Sequence, residues 1–140
     1  MSDDPIAFGS ARLDEDEAAA RAAADTAAVD WHATGAVTAT GPVILVASGE
    51  YDDVEVATVD LGGDDIAAHI ARHDPARVLR EVEAGRRTLQ RHRTCGSGHG
   101  YCDGVIDGDR TRRTWPLCDD LADLLYRWAD HSDYNPAWKP

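Results

Sequence analysis

The spacing of apolar and polar residues changes several times along the chain, and each change predicts a new element. Residues 11–28 are rich in alanine and carry acids in their early turns, which predicts a helix capped by Ser10 after a loose leader over 1–9. From Val29 the pattern alternates, and short apolar runs follow over 42–47 and 54–59. Residues 29–61 therefore predict a small three-stranded antiparallel sheet.

Two consecutive helices are predicted over 64–92. The first, over about 65–73, places Ile66, His69, Ile70 and His73 on one face. Asp74-Pro75 then gives a strong start signal, because aspartate is a good N-cap and proline suits the first helical position. The second helix, over about 75–92, is expected to bury an apolar stripe formed by Val78, Leu79, Val82 and Leu89.

Residues 92–140 are predicted to form a loop, a final helix and a tail. The loop includes polar residues 103–114, with a short strand around Val105-Ile106. A helix over 118–130 follows, with one apolar face made by Leu117, Leu121, Leu124, Leu125 and Trp128. The tail, with Tyr134 and Trp138, is expected to fold back on the body. These elements predict one α+β domain over 1–140: an N-terminal helix, a three-stranded antiparallel sheet, a central helix pair and a C-terminal Cys/His segment with the last helix.

Charge narrows the classes of partner. The net charge is −12, which does not favour binding to a phosphate backbone. Residues 61–98 are locally basic, and their helix carries four candidate contacts to nucleic acid or a protein partner: Arg80, Arg86, Arg87 and Arg91. We interpret these arginines mainly as a solvated face that pairs with the acidic N-terminal half.

Neither a membrane span nor a secretory signal is expected. The chain has no run of about 18 apolar residues, and its first residues lack a basic segment followed by an apolar one. We therefore place the protein in the cytoplasm.

The three cysteines, Cys95, Cys102 and Cys118, all lie in one stretch that also contains His92 and His99. Three cysteines in a chain without a secretory signal favour a metal site over a disulfide framework. Zinc takes four ligands from thiolates and imidazoles, so the cysteines need one histidine, with His92, His99 and His131 as candidates. The alternatives are ordinary thiols or redox chemistry, because the spacing of Cys95 and Cys102 is wider than in strong zinc motifs.

No catalytic constellation is evident. His69 and His73 have metal-binding spacing, but the glutamate of the metalloprotease motif is absent, so ordinary helix histidines are favoured. The glycine-rich stretches match no phosphate loop, and no serine nucleophile motif is present. A non-enzymatic protein is therefore expected.

Three segments resemble a family of short proteins of actinobacteria and their phages, the domain of unknown function 6221. They are Ala11-Arg-Leu-Asp-Glu-Asp-Glu17, the segment from His69 to Glu83 that begins His-Ile-Ala-Arg-His-Asp-Pro, and the tail from Tyr126 to Pro140. The resemblance favours His92 over His99 and implies His92, Cys95, Cys102 and Cys118 as ligands of a structural zinc. It implies no activity.

The favoured function is a small accessory or interaction protein, derived from a phage or prophage, with a structural zinc and an unidentified protein partner. A nucleic-acid-associated regulator that uses the arginine-rich helix over 77–93 is the first alternative. A metal-dependent enzyme is the second.

Overall fold

The computed structural model describes residues 2–27, 31–34, 43–47, 54–59, 63–95, 102 and 117–140. It has four α-helices, α1 Pro5–Ala27, α2 Gly63–Arg72, α3 Pro75–His92 and α4 Asp119–Leu125, and three strands, β1 Trp31–Thr34, β2 Val43–Ala47 and β3 Val54–Val59. Single 3₁₀ turns cover Tyr126–Trp128 and Pro136–Trp138. The chain divides into two compact units, a terminal unit of Met1–Glu15 with Glu83–Pro140, and a central unit of Asp16–Val82. The single domain over 1–140 stays a prediction.

The first helix begins six residues earlier than the sequence predicted. Asp4 caps it, because one carboxylate oxygen accepts from the N–H groups of Ile6 and Ala7 at 2.9 and 3.0 Å. Pro5 then occupies the first helical position. The predicted cap at Ser10 and the loose leader over 1–9 are therefore wrong.

The predicted fold class was an α+β domain with a three-stranded antiparallel sheet. This class is wrong, because the described chain is mostly helical. The helices α1 and α3 alone take 23 and 18 residues, against 4, 5 and 6 for the strands. The strands pair antiparallel in the order β1-β2-β3, with an irregularity between Leu45 and Val46. The alternating pattern marks extended backbone, but it carries no measure of how much of the fold the strands occupy. The predicted strand at Val105-Ile106 lies outside the described residues.

In the central unit, α2 lies against the strands. Ala67 is fully buried, whereas Ile66 is 50% exposed. Because alanine has almost no side chain, it lets a helix approach a neighbouring surface closely, and such a contact is hard to recognise from apolar spacing.

Both ends predicted for α3 are confirmed. The Asp74 carboxylate accepts from the Arg77 N–H at 2.6 Å, and Pro75 begins the helix. Within the terminal unit, Gly85, Leu89 and His92 continue the buried stripe that Val82 begins. The core face of α3 therefore ends in a histidine.

Two glycines allow side chains to pack deeply in the terminal unit. A Cβ atom at Gly85 would lie 2.8 Å from Leu13, whose side chain is fully buried. A Cβ atom at Gly9 would lie 2.8 Å from Leu125, which is also fully buried. Such distances are shorter than carbon–carbon contacts tolerate, so the two leucines fill the space that side chains would otherwise take.

The tail folds back, as predicted, and encloses an aromatic core. Tyr134 and Trp138 are 7% and 3% exposed, and their ring centroids lie 6.0 and 5.4 Å from that of Phe8. The Ser2 N–H also donates to the Asp133 carbonyl at 2.9 Å. The α-helix predicted over 118–130 is shorter than expected, since it ends at Leu125 and a 3₁₀ turn follows.

Replacing Tyr134 with phenylalanine should leave stability near neutral pH unchanged or raise it by about 1 kcal/mol. The hydroxyl is buried and has no hydrogen-bond partner in the described part of the chain, and phenylalanine keeps the ring contacts. Burial, with a smaller effect of Tyr126, raises the pKa of Tyr134 above its ordinary value of 10.0. Above pH 10.0, the unfolded chain therefore ionises this hydroxyl while the folded protein keeps it neutral. Because ionisation favours the unfolded chain, the free energy of unfolding falls as the pH rises above 10.0.

Urea unfolding at neutral and alkaline pH checks this expectation. Tyr134→Phe should lose less stability than the wild type on going to high pH. Tyr126→Phe is the comparison, because it keeps the buried Tyr134 hydroxyl and removes only the smaller effect on its pKa, so its alkaline loss should stay close to that of the wild type. Equal alkaline losses in all three proteins would contradict the prediction.

Candidate metal centre

Two helix ends and the turn between them bring the candidate ligands together. His92 is the last residue of α3, and Cys95 lies in the turn that follows, with its N–H donating to the His92 carbonyl at 3.0 Å. Cys118 is the N-cap of α4 and has extended backbone angles. Cys102 completes the group, which we term the Cys3His cluster.

The geometry of the Cys3His cluster centres on one ring nitrogen. His92 Nδ1 lies 3.4 Å from the Cys95 sulfur, 3.3 Å from the Cys102 sulfur and 3.2 Å from the Cys118 sulfur. All four ligand atoms lie within 4.8 Å of one another. None of the three cysteines forms a disulfide within the described residues.

Hydrogen bonding does not account for this convergence. A neutral imidazole nitrogen carries either one proton or one lone pair, so it forms one good hydrogen bond and not three. Four ligands around zinc at the usual Zn–S and Zn–N distances place sulfur and nitrogen atoms ~3.6 Å apart in a tetrahedron. The observed separations are close to this value, and the donor set of three thiols and one imidazole is a common one for zinc.

The electrostatics of the Cys3His cluster oppose the accumulation of negative charge. Burial raises the pKa of Cys118, which is 6% exposed. Burial and the neighbouring Cys118 and Cys95 sulfurs raise the pKa of Cys102 to about 12. Three thiolates in this space therefore repel one another, and a cation among them would offset that repulsion.

Asp120 of α4 is a further neighbour of the Cys3His cluster. Its Oδ2 lies 3.6 Å from His92 Nε2, the nitrogen that faces away from the sulfurs, and 3.7 Å from the Cys102 sulfur. A carboxylate behind a ligating histidine helps to fix the orientation of the ring. The position of Asp120 in the first turn of α4 gave no signal of this contact, which depends on where α3 ends.

The other candidate histidines have different outcomes. His131 lies against Arg12, with a distance of 2.9 Å between its Nδ1 and the guanidinium, and its ring contacts Phe8. It is therefore not part of the Cys3His cluster. His99 lies outside the described residues. The rings of His69 and His73 are 4.5 Å apart on the exposed side of α2, and His73 Nδ1 bonds the His69 carbonyl.

The candidate arginines of α3 are spread over its exposed surface. Arg86 pairs with Asp14 at 2.6 Å, and Arg87 pairs with Glu83 one turn away. Arg91 donates to the Thr88 hydroxyl at 3.2 Å, and Arg80 is exposed. Their contact with nucleic acid or a protein partner stays a prediction. Among the described helices, none is long and apolar enough to cross a membrane.

Comparison with known proteins identifies the family. Searches of curated proteins and of solved structures each gave no significant match. Residues 2–140 match the Family of unknown function (DUF6221), which covers both helix ends and all four members of the Cys3His cluster. The chain therefore belongs to the DUF6221 family, as the sequence resemblance implied.

Proposed function

We propose that this protein is a non-enzymatic interaction protein of the cytoplasm, in which the Cys3His cluster holds a structural zinc ion. The observation that carries the zinc assignment is the position of three sulfurs 3.2–3.4 Å from one imidazole nitrogen. When bound, zinc would supply a tetrahedral link between His92 at the end of α3 and Cys118 at the start of α4.

The donor set favours a structural over a catalytic metal. Catalytic zinc sites keep one position open for water or substrate, whereas three cysteines and one histidine fill all four positions. His92 and Cys118 are 3% and 6% exposed, so both ligands are also shielded from solvent. An interaction role is supported by the exposed charged surface of α3 beside this site.

Metal analysis of the purified protein tests the zinc assignment. We expect about one zinc ion per chain by mass spectrometry, and loss of that ion when Cys95, Cys102 or Cys118 is replaced by serine. Cobalt substitution adds a structural readout, because tetrahedral Co²⁺ with three thiolates gives characteristic visible and charge-transfer absorption.

Histidine variants identify the fourth ligand. His92→Ala should lose the metal or weaken its binding, whereas His131→Ala is a matched control that should retain it, because His131 contacts Arg12. Retention in His92→Ala with loss in His99→Ala would move the fourth ligand to His99. Wild-type protein that folds stably without any metal would overturn the zinc assignment.

A further inference from the structure

A groove between α1 and α3 in the terminal unit is a second place where the chain presents chemistry. On α1 it is lined by Ile6, Ser10 and Asp14, which recur every fourth residue on one stripe. On the other side it is lined by Arg86, Leu89 and Gln90 of α3, and by Arg93, which directly follows that helix. The groove has a volume of about 370 Å³, which is at the lower end of the range for ligand pockets.

We propose that this groove binds an extended acidic peptide segment in which two carboxylates flank an aliphatic side chain. This inference rests on the proposed interaction role and names the class of partner. Ile6 and the buried Leu89 supply the apolar part of the lining, and Arg86 and Arg93 supply two positive charges.

The spacing of the arginines sets the length of the peptide. Arg86 lies in α3 and Arg93 directly follows its last residue, so seven residues at the helical rise separate their Cα atoms by ~10 Å. In an extended peptide, every second side chain points to the same face, and residues four apart are separated by ~13 Å. Flexible arginine side chains bridge the difference, so an Asp-x-Leu-x-Asp pattern matches both arginines and the apolar part of the lining.

The ion pair between Arg86 and Asp14 can exchange at low energetic cost. Its partner Asp14 is 2.6 Å away, but their side chains are 43% and 68% exposed. An ion pair of this exposure contributes little to stability, so a peptide carboxylate can share or replace Asp14 as the partner of Arg86.

The charge of the chain favours a peptide over nucleic acid. A net charge of −12 repels a long polyanion such as an oligonucleotide, which depends on many simultaneous phosphate contacts. A short peptide needs only two local contacts. Salt screens these contacts from protein charges more than ~8 Å away, and the peptide also gains free energy by covering the apolar part of the groove.

Titration of ¹⁵N-labelled wild-type protein with the capped pentapeptide Asp-Ala-Leu-Ala-Asp tests the proposal. We expect shifts of the amide signals of Ser10 and Gln90, and binding at least ~10-fold weaker for the Asn-Ala-Leu-Ala-Asn and Asp-Ala-Ala-Ala-Asp peptides. Arg86→Gln and Arg93→Gln should each weaken binding by ~10-fold, whereas Arg87→Gln, on the same helix but outside the groove, should change it less than ~2-fold.

Asp14→Asn provides the sharpest outcome, because it removes the carboxylate that competes for Arg86 and should strengthen peptide binding several-fold. A residue needed only for stability would not give such a gain. The absence of shifts at millimolar peptide, equal binding of the asparagine peptide, or equal shifts with inorganic phosphate would overturn the proposal. Binding of a single-stranded oligonucleotide that Arg86→Gln abolishes would assign the groove to nucleic acid instead. Metal content of the same samples reports separately on the zinc assignment.

Discussion

Removing the metal with a chelator should lower the melting temperature of the wild-type protein by roughly 12 °C. A metal present at about a thousand times its dissociation constant stabilises the folded state by roughly 4 kcal/mol, and each kcal/mol shifts the melting temperature of a chain of this size by roughly 3 °C. The ligands join the end of α3 to the start of α4, so the loss should fall on the terminal unit.

Cys118→Ser should reproduce this loss and abolish the response to chelator. Cys118 is the most buried of the three cysteines and precedes the α4 residues Leu121 and Leu125, which are 3% and 0% exposed. Thermal melts followed by circular dichroism, with and without chelator, measure both effects. His131→Ala should retain the chelator response. A wild-type melting temperature that stays constant while mass spectrometry shows complete metal removal would contradict the structural role of the ion.

Leu13→Ala should destabilise the protein by roughly 4 kcal/mol, the upper part of the range for a buried leucine. Leu13 is fully buried, and its side chain occupies the space left by the missing side chain of Gly85. Truncation of Leu13 therefore leaves a cavity between α1 and α3, which the two helices cannot freely close by moving toward each other. Urea unfolding measures the loss, and Leu124→Ala is the matched control, because Leu124 is only half-buried and should lose about half as much or less.

A double-mutant cycle shows whether the cavity is the cause. In the wild type, Gly85→Ala should destabilise by about 1–3 kcal/mol, because its Cβ would lie 2.8 Å from Leu13. In the Leu13→Ala background the same change should be neutral or stabilising, since the contact is gone and alanine favours a helix. Additive effects of the two substitutions would show that Leu13 acts through other contacts.

The cluster residues were easier to predict than the fold. Three cysteines and a histidine have few roles other than ligands or thiols, so their chemistry limits the alternatives. The choice between His92 and His131 required the path of the tail in the structure, because that path places His131 beside Arg12. Asp120 could not be predicted as a neighbour of His92, because a contact between two helix ends is a property of their packing.

Parts of the fold were missed for different reasons. The start of α1 carries the same Asp-Pro signal as α3, so Asp4-Pro5 was a readable feature that alanine content obscured. The roles of Gly9 and Gly85 were not readable, since glycine within a helix is usually unfavourable and only the buried leucines opposite them explain it. The helical class was also missed, because the patterns identify types of element and not their share of the fold.

The separation of the cluster residues along the chain affects how the family can diverge. Fifteen positions lie between Cys102 and Cys118 in the sequence. Because each doubling of the length of a connecting segment adds only about 0.6 kcal/mol to the entropic cost of closing it, a change in the number of residues between two ligands costs little free energy. The metal-binding residues would then hold the start of α4 in place while this connection gains or loses residues over evolution.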